Sequence, residues 1–162
     1  MKRLFWTLLA LAALLTLVSC ETPEDPKNAV FSAFIVNGTT ISIDAEAAPI
    51  LASLGKEQAY SESPSCAFEG MDKIYVYAGF RVQTYTQGGK DFIRSVELTD
   101  DSVATAEKIA IGATRDAVIG AYGEASSATD TALTYEGEGG VKLQFLLRNG
   151  AVTNIQNQKA VE

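Results

Sequence analysis

The apolar positions of this chain follow a helical period in some segments and a strand period in others. Segments 41–55 and 109–123 align without gaps at an offset of 68. Each has a short apolar strand, a capping position, apolar residues spaced three and four apart, and a glycine. Thr114 is a good N-cap for the second helix. The same register puts Glu46 at the N-cap of the first helix and Pro49 at its third position, where a backbone N–H would have no partner within the helix. The pattern predicts two short helices that each end at a glycine.

An alternation of period two, typical of strands, follows each predicted helix. Segment 74–79 matches segment 132–137, and segment 92–96 matches segment 151–155. Glycine-containing turns, the strongest local signal for a hairpin, separate the strands within each half: Gln87-Gly88-Gly89-Lys90 and Arg148-Asn149-Gly150.

These matches predict an α+β domain over residues 29–162, made of two tandem repeats at about 38–98 and 106–158. In each repeat a helix would precede a three-stranded antiparallel meander, with both helices packed on one face of the sheet. Residues 56–73 are an insertion in the first copy, and residues 98–105 form the crossover. The alternative is a chance likeness between two glycine-terminated helices.

The first twenty residues have the pattern of an export signal. Lys2 and Arg3 precede an apolar run that is shorter than the roughly 20 residues of a membrane-spanning helix and ends in small residues. An ordinary secretory signal cut elsewhere, or an uncleaved anchor helix, are the alternatives. The ending Leu17-Val18-Ser19-Cys20 resembles the lipobox of bacterial lipoproteins.

That resemblance implies a signal peptide at 1–19 and a diacylglyceryl group on the thiol of Cys20. Two acyl chains anchor a protein stably in a membrane, whereas a single chain gives only marginal binding. The predicted location is therefore the extracytoplasmic face of the cell membrane. Residues 20–28 are polar and contain prolines, which predicts a flexible tether.

Composition excludes several classes of function. The chain has 13 basic and 20 acidic residues, and without Lys2 and Arg3 the balance is 11 against 20, which disfavours a nucleic-acid partner. Once Cys20 is acylated, Cys66 is the only thiol left, so no internal disulfide forms, and we expect Cys66 to be a small buried residue.

The chain has no histidine, which excludes serine–histidine and cysteine–histidine catalysis and histidine metal sites. The glycine-rich run 137–140 lacks the lysine of a phosphate loop, and residues 100–102 lack the spacing of a calcium loop. The sequence does not exclude a carboxylate pair for glycoside hydrolysis, because the distance between the two carboxylates depends on the folded structure. We predict no enzyme activity, no catalytic residue, no cofactor and no metal.

The region from about Ser65 to Tyr122 resembles uncharacterised lipoproteins of clostridial-type Gram-positive anaerobes. The resemblance lies in the run from Ser65 to Tyr77, in the run from Ile93 to Leu98, and in Ile111-Gly112-Ala113-Thr114 together with Ala121-Tyr122-Gly123. In architecture the chain is similar to the tandem modules of the beta-lactamase inhibitor protein and to small outer-membrane-assembly lipoproteins of the SmpA/OmlA kind. This likeness implies a fold and no activity.

The aromatic strands of the first half are the best candidates for a binding surface. Alternation directs Tyr75 and Tyr77 toward the helices and exposes alternate residues of the next strand. The predicted ligand contacts on an open sheet face are Arg81, Gln83, Tyr85 and Arg94. The predicted function is a membrane-anchored, non-enzymatic module that binds a protein or envelope ligand. The alternative is a wall-acting enzyme, or an inhibitor of a secreted or wall-active enzyme.

Overall fold

A computed structural model describes residues 33–160. The predictions for the signal peptide, for Cys20 and for the tether lie outside the described residues. Within them the chain forms the following helices and strands: β1 (Ala33–Val36), β2 (Thr39–Ser42), α1 (Ala47–Leu54), β3 (Ala59–Pro64), β4 (Met71–Tyr77), β5 (Phe80–Gln87), β6 (Lys90–Leu98), α2 (Arg115–Tyr122), β7 (Ser127–Thr129), β8 (Ala132–Glu136), β9 (Val141–Arg148) and β10 (Ala151–Lys159).

The strands form two sheets. β1 and β2 pair as a separate hairpin. The other eight strands make one antiparallel sheet in the order β3-β4-β5-β6-β10-β9-β8-β7. β6 and β10 join its two halves, with Leu98 opposite Ile155 and Ser95 opposite Gln158.

The prediction of an α+β fold with two helix-plus-three-stranded repeats is wrong. The fold is mostly β, with a two-stranded and an eight-stranded sheet and only two α-helices of eight residues each among residues 33–160. β3 lies in the predicted insertion, and all six of its residues are exposed, so no apolar period marks it. Its pairing with β4, and that of β7 with β8, add outer strands that a hydrophobic pattern does not reveal.

The local signals for helices and turns are confirmed. Pro49 is the third residue of α1, and the hydroxyl of Thr114 accepts the backbone N–H of Ala117 at 3.2 Å at the start of α2. Gly123 ends α2 with a φ of 76°. The Gly88-Gly89 and Asn149-Gly150 turns join β5 to β6 and β9 to β10, and all four residues have positive φ.

The core lies on one side of the large sheet. Val82, Val96, Phe145 and Ile155 are fully buried there, and residues of α1 and α2 pack against the same cluster. Tyr77 is buried and Tyr75 packs against this cluster, as the alternation predicts. The residues that alternate with these along the strands lie on the opposite side of the sheet.

Candidate binding surface

The side of the eight-stranded sheet that is opposite the core is called the open face here. The pairing register aligns its side chains in two rows that cross the strands. The first row, from β4 to β8, consists of Val76, Arg81, Glu97, Gln156, Gln144 and Thr134. The second row consists of Ile74, Gln83, Ser95, Gln158, Lys142 and Glu136.

The charged side chains of the two rows are all in ion pairs. Arg81 contacts Oε2 of Glu97 through Nη2 at 2.5 Å and through Nε at 2.6 Å. The other oxygen of Glu97 accepts a hydrogen bond from Asn154 Nδ2 at 2.5 Å. In the second row, Lys142 Nζ lies 3.1 Å from Glu136 Oε1. The rows therefore carry no net charge.

The neutral side chains in the middle of the rows keep most of their hydrogen-bonding capacity. Gln144 donates to the Thr134 hydroxyl at 3.3 Å, and Ser95 donates to the Gln83 carbonyl oxygen at 3.5 Å. The side-chain amides of Gln156 and Gln158 make no hydrogen bond to any residue in the described range 33–160. Both are half-buried by their neighbours. The centre of the open face thus offers unused amide donors and acceptors.

A loop covers one end of this surface and buries Tyr85. The ring of Phe68, from the β3–β4 connection, lies 4.3 Å from the Tyr85 ring between centroids, and Tyr85 is only 2% exposed. The guanidinium carbon of Arg94 lies 5.3 Å from the Phe68 ring, and its Nη1 is 3.5 Å from Asp72 Oδ2. The prediction that Tyr85 is exposed is therefore wrong, because alternation assigns a side of the sheet but not what covers it.

The hydroxyl of Tyr85 is held in a polar cluster. It donates to Oδ1 of Asp44 and lies 3.4 Å from Nζ of Lys159, which contacts Oδ2 of Asp44 at 2.7 Å. Burial and the bond to Asp44 raise the pKa of Tyr85. Burial alone would raise the pKa of Asp44, but the hydrogen bonds from Lys159 and Tyr85 outweigh it, and that pKa is lowered. This cluster ties the segment before α1 to β5 and β10, and the Asp44 side chain in it remains 47% exposed.

The four predicted contacts therefore separate into two groups. Arg81 and Gln83 lie in the two rows of the open face, whereas Tyr85 is buried and Arg94 is engaged with Asp72 and Phe68 at the covered end. Sequence reasoning missed the glutamines of the second half. The alternation of apolar and polar residues along β9 and β10 was the signal that could have found them.

Cys66 is exposed in the β3–β4 loop. The expectation that Cys66 is buried is therefore wrong, because the tip of this loop lies beyond the packed strands.

Residues 33–160 contain no cluster of three carboxylate or thiol side chains that could hold a metal ion. None of the helices in that range has the length and apolarity to cross a bilayer.

A cleft of about 260 Å³ lies at the end of α1, away from the open face. Its lining includes Tyr77 and Phe80, whose rings stack at 4.9 Å, with the exposed Lys56 at its rim. Both rings are less than a tenth exposed. The C-terminal carbonyl groups of α1 favour a cation at that position, which accounts for Lys56 without a ligand.

Comparison of the chain with protein-family models, with curated proteins and with solved structures finds no match. The resemblances stated above stay predictions.

Proposed function

We propose that this protein is a lipid-anchored module on the outer surface of the cell membrane that binds a protein or envelope ligand without converting it. One observation carries the proposal. The two helices and the core cover one side of the eight-stranded sheet, while the side chains of the two rows on the other side are partly or fully exposed, except that of Ser95.

The chemistry of the open face supports binding. Its amide and hydroxyl groups form hydrogen bonds, and no residue within the two rows is a nucleophile with an adjacent general base. The side chains project from paired strands, so they are held in position before a ligand arrives, and less conformational entropy is lost on binding.

The predicted anchor is compatible with this role. A tether of residues 20–28 spans at most roughly 30 Å when fully extended. The domain would therefore remain close to the membrane.

Site-specific photocrosslinking in the cells that make the protein tests the proposal. One full-length variant carries p-benzoylphenylalanine in place of Gln156 on the open face, and the control carries it in place of the exposed Asp116 on α2. We expect a discrete adduct from the first position and none from the second. Equal adducts, or none from position 156, would contradict the proposal. An adduct with a wall-active hydrolase would favour the inhibitor alternative.

A further inference from the structure

We infer that the ligand of the open face is an uncharged polysaccharide chain lying along the two rows. This inference rests on the proposed function and names the ligand of the same surface. Three features of the rows carry it: their charge, their free hydrogen-bonding groups, and the position of their apolar residues.

The charge of the rows favours a neutral ligand. Each charged side chain in them already has a partner, and the Glu97 side chain of the Arg81–Glu97 pair is only 14% exposed. A charged ligand would have to compete with such a pair, and breaking a partly buried pair leaves one charge uncompensated. The chain as a whole carries a net charge of −7, which repels polyanions at long range.

The free side-chain amides of the rows are suited to hydrogen bonds with sugar hydroxyls. Each side-chain amide of Gln156 and Gln158 offers an NH₂ donor and a carbonyl acceptor. A sugar hydroxyl both donates and accepts, so either end of an amide finds a partner on a glycan. Neighbouring positions in a row are about 4.8 Å apart and the two rows are about 7 Å apart, so a chain with hydroxyls along both edges meets groups from several strands at once.

The apolar residues argue against a protein ligand. Protein interfaces have a core of apolar or aromatic anchors surrounded by a polar rim. The open face has the reverse arrangement. Ile74 and Val76 lie on β4 near one edge, Leu146 lies on β9 toward the other at 40% exposure, and the strands between them present amides and ion pairs.

The test measures glycan binding to the full-length lipidated protein in micelles of a detergent that carries no sugar. The neutral probes are N-acetylglucosamine hexamer, cellohexaose and maltohexaose, and the charged probes are polygalacturonate and glucosamine hexamer. Calorimetry gives the affinity. Side-chain amide signals in ¹H–¹⁵N NMR spectra report on Gln156 and Gln158, and backbone amide signals report whether a variant is folded.

Gln156→Ala is compared with Gln58→Ala, which removes an exposed amide from the cleft on the other side of the molecule. We expect at least one neutral hexasaccharide to bind, and Gln156→Ala to weaken it roughly three- to tenfold, as for the loss of one hydrogen bond. Gln58→Ala should leave the affinity unchanged. Binding of the charged probes only, binding of no probe, or equal effects of the two variants would overturn the inference.

The outcome also separates this inference from the proposed function. If no neutral glycan binds while position 156 still crosslinks to a protein in cells, the ligand class is wrong and the binding role stands. If both experiments fail, the open face is not a binding surface.

Discussion

The hydroxyl of Tyr85 donates a hydrogen bond to Oδ1 of Asp44, 41 positions earlier in the chain. Asp44 has a left-handed backbone with a φ of 68°, and its N–H donates to the carbonyl of Ile93 at 2.8 Å. Lys159, near the end of β10, contacts the other carboxylate oxygen at 2.7 Å. One aspartate therefore connects the segment before α1 with three strands of the large sheet.

Tyr85→Phe should destabilise the domain by about 1 kcal/mol, because the Asp44 carboxylate loses the hydrogen bond donated by the hydroxyl of Tyr85, a residue that is only 2% exposed. Urea denaturation measures the change. Tyr60→Phe is the control, since Tyr60 is 45% exposed and bonds only to a neighbouring glutamate. Equal losses of unfolding free energy in the two variants would show that the hydrogen bond to Asp44 does not stabilise the domain more than an exposed one does.

Gly79→Ala should destabilise the domain more than Gly150→Ala. Both glycines have positive φ, so an alanine costs about 1 kcal/mol at either position. At Gly79 the new Cβ would also lie 2.3 Å from Ser102 Oγ and 2.8 Å from Val103 Cγ2, whereas at Gly150 nothing lies within 4 Å. The added clash should cost about 1–3 kcal/mol more. Thermal or urea unfolding measures the difference, and equal losses would mean that residues 102–103 move aside freely.

The ion pair between Lys73 and Asp91, at 2.6 Å, should make stability depend on acid pH. Burial alone would raise the pKa of Asp91, but hydrogen bonds from Lys73 and Thr86 outweigh it, so the pKa falls below its usual 3.8. A lowered folded-state pKa stabilises the protein above about pH 4, and this contribution disappears as the pH falls through the folded-state value.

Asp91→Asn should therefore lower the free energy of unfolding at pH 7 by at most about 1 kcal/mol, because both partners are partly exposed. It should also reduce the loss of stability between about pH 4 and pH 2. Urea titrations across this range measure both effects. Asp101→Asn, at an exposed turn, is the control and should follow the unmodified protein. The prediction would be contradicted if the stability of Asp91→Asn fell with pH in parallel with that of the unmodified protein.

Cys20→Ser should abolish acylation and release the protein from the membrane fraction. Intact-mass spectrometry of the mature protein measures the diacylglyceryl group, which the resemblance to the lipobox places on the Cys20 thiol. Cys66→Ser is the matched control and should keep both the lipid and the membrane association. An unmodified, uncleaved amino terminus in the parent protein would contradict the prediction.

Local chemistry explains which parts of the structure were predictable. Thr114, Gly123 and the Asn149-Gly150 turn act on backbone groups a few residues away, so their effects can be read from the chain itself. The period-two alternation placed Arg81 and Gln83 on the same side of β5 for the same reason.

The two short helices, the glycine turns and the apolar side of β4 and β5 follow from the sequence alone, because these depend on neighbours along the chain. Three other features depend on long-range contacts: β6 pairs with β10, β3 is a strand, and Phe68 covers Tyr85. The alignment of Gln144 and Gln156 in one row with Arg81 also depends on such contacts. These relationships join residues far apart in sequence, and they follow from which strand edges find hydrogen-bonding partners, which no local pattern specifies.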